Sequence, residues 1–148
     1  MSRYAASGGR LRKTCSARSQ RFPHVTAGVE ADAGELVALK ERLNEKHDVR
    51  ITYSAILVKA VVPALREFPL VNDSVDIDAE KIIKHEYYNV GVATHTEEGL
   101  VVPVIENADR KSVVTIADEL NAKVQAARER ELEPADLQGG TFTITNTG

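Results

Sequence analysis

The 148 residues allow one domain, and 43% hydrophobic residues suffice for a core. The net charge of −3 conceals an asymmetry: residues 1–24 carry six basic residues and no acid, leaving 13 basic against 22 acidic residues, net −9, in the remainder. An acidic body with 5% aromatic residues lacks the basic, aromatic-interleaved surface that nucleic acid requires, and the longest apolar run, Ala55 to Leu65, is broken by Lys59 and falls short of the roughly 20 residues of a membrane span.

The single Cys15 has no partner for an internal disulfide, and no pair of Cys or His has metal-ligand spacing. These features predict an intracellular protein without a metal, placed in the cytoplasm. Residues 1–21, basic and acid-free, are expected to form a disordered arm. Their composition also suits an organellar transit peptide, which makes the mitochondrial matrix the alternative location.

Residues 22–148 form the predicted body. Val25, Ala27, Val29 and Ala31 alternate with more polar neighbours, the pattern of a half-buried strand. Asp32 with Glu35 has the spacing of an N-cap and its N3 acid, and Leu36, Leu39 and Leu43 fall on one stripe, predicting a helix over 34–46. Ser54 is the expected cap of a second helix with Ile56, Leu57, Val58, Val61, Val62 and Leu65 on every side, hence buried all round. Pro63 predicts a kink within it, and Phe68-Pro69 closes it.

Val75-Asp76-Ile77 and Lys81-Ile82-Ile83 read as short strands around an acidic turn. Tyr87 to Glu106 then reads as a hairpin around which the chain is organised. Val90, Val92 and Thr94 alternate with Gly91 and Ala93, and a polar turn ends in Gly99, suited to positive φ. The return arm, Leu100 to Ile105, contains Pro103, which cannot donate to a ladder and so predicts an edge or a bulge. So apolar a hairpin should be covered on both sides. Ser112 or Thr115 caps a third helix with Val113, Ile116, Leu120, Val124 and Ala127 on one stripe, punctuated by Pro134 and Gly139-Gly140. Thr141 to Gly148 alternates as a final strand and then stops, which predicts a truncated chain.

Four blocks, FPHVTAGVEAD, LVKAVVPALREFP, YYNVGVAT with GLVVPVIENADRKS, and LQGGTFTITNTG, span residues 22–148 in order. Together they resemble the catalytic domain of the dihydrolipoamide acyltransferases, the E2 components of 2-oxo acid dehydrogenase complexes. The resemblance implies an α/β (α+β) fold, a mixed β-sheet covered by helices of the chloramphenicol acetyltransferase kind. It also implies self-association into trimers and a larger core, with E1 and E3 components as partners. The implied reaction moves an acyl group between a dihydrolipoamide thiol, its lipoyl group supplied by another domain or chain, and coenzyme A.

Two features carry that chemistry in the family: a histidine in H-x-x-x-D-G, the general base, and a Ser or Thr hydroxyl that stabilises the oxyanion. Thr145, in TFTITN, matches the second. None of His24, His47, His85 and His95 is followed by Asp-Gly at the fourth and fifth positions. The expectation is therefore an acyltransferase fragment, inactive alone unless a second chain supplies the histidine. The alternative is a non-catalytic assembly or interaction module with an E2-like surface.

The remaining tempting residues have plainer readings. His95, near the hairpin turn, reads as a solvated loop residue rather than a substitute base. His24 reads as locally hydrogen-bonded or lining a subunit contact. Cys15, without a buried base or orienting acid, reads as inert.

Overall fold

The structure, a computed structural model, describes residues 25–97 and 99–146. The readings of the basic arm, of Cys15 and of His24 lie outside those residues. The first helix, α1 (Gly34–Lys46), follows the predicted bounds. Its N-cap is Ala33 rather than Asp32, whose Oδ1 instead accepts from the Gly34 N–H at 2.8 Å, one residue early. Leu36, Leu39 and Leu43 are half-buried against the core, so α1 lies on the surface by one stripe.

Helix α2 (Tyr53–Glu67) is capped by Thr52, whose hydroxyl accepts from the Ala55 N–H at 3.3 Å, and not by Ser54. It is not buried all round. Ala55, Ile56, Val58, Val62 and Leu65 face the core while Leu57 remains 39% exposed, because α2 is sandwiched on one side only. Pro63 lies on the exposed side, where the carbonyl four residues back can turn to water, so the helix passes through it. Lys59, the one charge in the apolar run, caps a different element: its Nζ donates to the carbonyls of Ala108, Asp109 and Lys111 at 3.3, 2.9 and 2.6 Å. That fan of carbonyls needs a cation at the helix surface, and it explains the interruption.

A 3₁₀ turn (Pro69–Val71) leads to β1 (Ser74–Asp76) and β2 (Lys81–Ile83), which pair antiparallel, Val75 opposite Ile82, as a separate two-stranded sheet exposed throughout. The main sheet is built on β3 (Val90–Thr96). The return arm is split at Val102-Pro103 into β4 (Gly99–Val101) and β5 (Val104–Ile105), both antiparallel to β3. The ladder keeps one register across this break, Thr94 opposite Val101 and Gly91 opposite Val104, so there is no bulge and the edge alternative holds among the described residues: Pro103 donates nothing, but its carbonyl accepts from the Val92 N–H at 2.9 Å. Gly99 has φ +128°, as the turn requires.

Helix α3 (Val113–Glu129) is capped by Ser112 and buries Ile116, Ala117, Leu120 and Ala127. It ends at Arg130 in a left-handed conformation, φ 67°. After a 3₁₀ turn (Pro134–Leu137) comes β6 (Phe142–Thr145), which pairs parallel with β3, Val90 opposite Phe142 and Ala93 opposite Thr145. Gly91 is bonded to both β5 and β6, so these lie on opposite edges of β3 and the sheet is mixed. The fold is thus the expected mixed sheet with helices over it.

One face of β3, with Val90, Val92, Ile105, Phe142 and Ile144, packs on α2 and α3 around Ile51, Val58, Ile116 and Leu120. Among the described residues the expected cover on both sides is only half met. On the other face Gly91 and Val104 are buried, but His95 and Thr145 are exposed.

Residues 25–32 are the clear departure. They form no strand, and Val25 and Val29 are 93% and 92% exposed. A strand is stabilised by its ladder and its covered face, and here the described residues offer neither.

Candidate active site

Thr145 is the last residue of β6, and its position follows from the local sequence. Phe142 and Ile144 are drawn to the helix-covered face, so Thr143 and Thr145 stand on the opposite one. Gly91 makes room there: a Cβ on it would come within 3.3 Å of Thr143 Oγ1 and 2.8 Å of Val102 Cγ1. The glycine is needed for this close approach. By the same alternation the open face carries Gly91, Ala93 and His95 from β3 beside Thr143 and Thr145 from β6. Among the described residues β6 has no strand on its other edge.

His95 therefore lies in β3, paired with Leu100, and not in the loop expected for it. It is exposed, as expected, and shares its sheet face with Thr145. His85 is elsewhere, its Nε2 2.9 Å from Ser74 Oγ across β1–β2, while Asp73 Oδ1 accepts from the His85 backbone N–H at 3.2 Å. The carboxylate does not orient the imidazole ring, so this is no Ser–His–Asp triad. His47 follows the end of α1. Among the described histidines only His95 shares the sheet face of Thr145.

An open cavity of about 620 Å³ lies at the other side of the end of β6, between the start of α2, α3 and β3, and reaches Asn146. Its lining includes Arg50 and Arg128 and no acidic side chain. Neither arginine is ion-paired among the described residues, so the cavity suits an anionic group such as a phosphate. Reading the sequence missed it. Arg50 stands in a short link and Arg128 at the end of a charged helix face, 78 positions apart, and only tertiary packing joins them.

Among the described residues no group of three His, Cys, Asp or Glu side chains can hold a metal ion, and no helix is long and apolar enough to cross a membrane.

The sequence profile of the 2-oxoacid dehydrogenases acyltransferase (catalytic domain) family matches residues 10–148. A dihydrolipoyllysine-residue acetyltransferase component of the pyruvate dehydrogenase complex from Bacillus subtilis is 43% identical over 129 residues, 85% of this chain and 29% of that protein. A dihydrolipoyllysine-residue succinyltransferase component of the 2-oxoglutarate dehydrogenase complex from Rickettsia typhi is 38% identical over 147 residues, 94% of this chain and 36% of that protein. The solved truncated catalytic core of the 2-oxoacid dehydrogenase multienzyme complex from Thermoplasma acidophilum superposes with a TM-score of 0.88 at 34% identity, covering 93% of this chain and 64% of that one. The chain thus spans about a third of the length of these curated relatives and less than two thirds of that solved core. With the profile covering nearly all of it and the sheet, helices and β3–β6 pairing in place, the chain belongs to the catalytic-domain family of the 2-oxoacid dehydrogenase acyltransferases.

Proposed function

We propose that this chain is the oxyanion-stabilising part of an acyltransferase that exchanges an acyl group between dihydrolipoamide and coenzyme A. The observation that supports it is the placement of Thr145: its side chain stands on the open face of the sheet, at the end of a strand fixed to β3, in the position that matches the family's hydroxyl. In thiol–thioester exchange one C–S bond forms as another breaks, and the carbonyl oxygen carries negative charge between the two events. Thr145 donates a hydrogen bond to that oxygen. Such a donor typically contributes about 10²–10³ in rate.

The proton of the attacking thiol, with an unperturbed pKa of about 8.5, must go to a base and return to the departing sulfur. The proposal assigns it to a histidine of an H-x-x-x-D-G motif supplied by another segment or a second, different chain, since none of the four histidines here lies in that motif. The cavity with Arg50 and Arg128 supports coenzyme A as the partner, because its phosphates are the anionic part of the reacting pair. The acyl group stays open between acetyl and succinyl types, as the relatives include both.

One observation favours a second reading, a role in assembly. Phe68 at the end of α2, Leu70 and Val71 on the 3₁₀ turn and Val75, Ile82 and Ile83 on β1–β2 are all exposed, and a two-stranded sheet alone is marginal in water. In this reading the chain contributes to a multimeric core with E1 and E3 components around it, whether or not it carries out transfer.

The deciding experiment joins the chain to a family segment carrying H-x-x-x-D-G and assays transfer from acetyl-CoA and succinyl-CoA to dihydrolipoamide. The proposal expects turnover with one of them. A folded, assembled product that transfers neither would leave the assembly reading in its place.

A further inference from the structure

Strand β6 has a register problem that its own sequence does not solve. Thr141, Thr143, Thr145 and Thr147 alternate with Phe142, Ile144 and Asn146, so sliding by two residues keeps a threonine at each open-face position opposite β3 and still places Phe or Ile at one of the two helix-facing ones. Such a slip would carry Thr145 two rungs along β3, away from Ala93. With only four residues paired, and along one edge, little in the ladder itself resists it. Something outside β6 must fix where it starts.

Asn89, the residue before β3, makes the contacts that do so. Its carbonyl accepts from the Thr141 N–H at 2.8 Å, from the Phe142 N–H at 3.3 Å and from Thr141 Oγ1 at 3.2 Å. Its own N–H lies 3.3 Å from Thr141 Oγ1. The side-chain Nδ2 donates to the Gly139 carbonyl at 2.9 Å, and Oδ1 accepts from the Asn107 N–H at 2.8 Å. Gly139 has φ +74°, so its carbonyl is aimed by a turn that ordinary side chains resist. One side chain thus ties the entry of β3 to the turn that launches β6 and to the loop that follows β5. An amide is suited to this, because the same group supplies a donor for one segment and an acceptor for the other.

We propose that Asn89 is a positioning residue: by clamping the turn at Gly139 it sets the register of β6 and so holds Thr145 opposite Ala93. The inference rests on the reading of Thr145 as the oxyanion donor for its catalytic consequence, but its structural consequence stands separately.

Two arms test it. In the 148-residue chain, nuclear Overhauser contacts between Ala93 and Thr145 report the register directly. They are expected in the parent and in Thr145→Ser, and are expected to weaken or be joined by contacts of a slipped strand in Asn89→Asp, which keeps the acceptor for Asn107 and sets a carboxylate oxygen in place of the donor to Gly139. Unchanged contacts in Asn89→Asp would overturn the proposal. Asn89→Ala removes both halves of the clamp, and should it fail to fold, the Asp variant alone decides.

In the completed enzyme described above, Asn89→Asp should lower kcat about two- to tenfold with KM unchanged, the scale of one lost hydrogen bond. The same substitution should have no further effect on kcat in a Thr145→Ala background, since it acts through that hydroxyl. Equal losses in both backgrounds would overturn the positioning role. If Thr145→Ala itself leaves kcat intact, the oxyanion reading fails, and the register contacts still judge Asn89.

Discussion

Residues 25–31 and strand β6 carry the same alternation of apolar and polar side chains, yet one is extended and almost wholly exposed while the other is built into the main sheet. The difference lies in what each finds alongside it. β6 meets an edge of β3, and Phe142 and Ile144 meet Val90, Val92 and the helices beneath them. Val25 and Val29 meet nothing among the described residues. Alternation thus states which face of a strand is apolar, and pairing decides whether there is a strand at all.

The sharpest way to break this comparison is by truncation on each side of it. Ile105→Ala, at a position with no exposed surface, is expected to cost about 2–5 kcal/mol, whereas Val29→Ala should stay within about 0.5 kcal/mol. Denaturant melts of the two variants check this, and a comparable loss at Val29 would mean that the segment is packed in solution.

A somewhat smaller effect is expected at the contact between β3 and its neighbours. Gly91→Ala introduces a Cβ 2.8 Å from Val102 Cγ1 and should destabilise by about 1–3 kcal/mol through overpacking. If the melt is unchanged, the two strands are not held as closely as described.

Next come the helix caps. Thr52→Ala removes the hydroxyl that accepts from Ala55 and is expected to cost about 1 kcal/mol, while Ser54→Ala should cost little. The reverse order would restore the cap that the sequence suggested.

The smallest effect is a pH dependence. The hydrogen bond from Lys123, aided by the Glu133 N–H, holds the Asp136 carboxyl below its ordinary 3.8. A depressed folded pKa means that the stabilisation is fully present above about pH 3.8, the unfolded value, and is lost as pH falls through the lower folded one. The difference in Tm between the parent and Asp136→Asn should therefore shrink below about pH 4.

How much of this was legible beforehand varied with the kind of force at work. The stripes of α1 and α3, the hairpin, the edge position of Pro103 and the glycine at 99 follow from local periodicity and backbone sterics, and they stand where expected. Helix α2 looked buried all round because apolar content was read without knowing how many layers would cover it, and Leu57 shows the missing one. Lys59 looked like an interruption, since its three carbonyl partners lie about 50 residues away in sequence. Thr145 could be singled out only through the family pattern, as its own residue type is common in strands. Arg50 and Arg128, and the clamp at Asn89, depend on contacts between distant segments that no local spacing encodes.

The central claim is that Thr145 supplies the oxyanion hydrogen bond, and the most direct measurement compares Thr145→Ala with Thr145→Ser in the enzyme completed with the histidine-bearing segment. The account predicts that Thr145→Ala lowers kcat about 10²–10³-fold with little change in KM, since the bond is made mainly in the transition state, while Thr145→Ser keeps most of the activity. An Ala variant that turned over as fast as its parent would contradict it and leave Thr145 an ordinary strand residue.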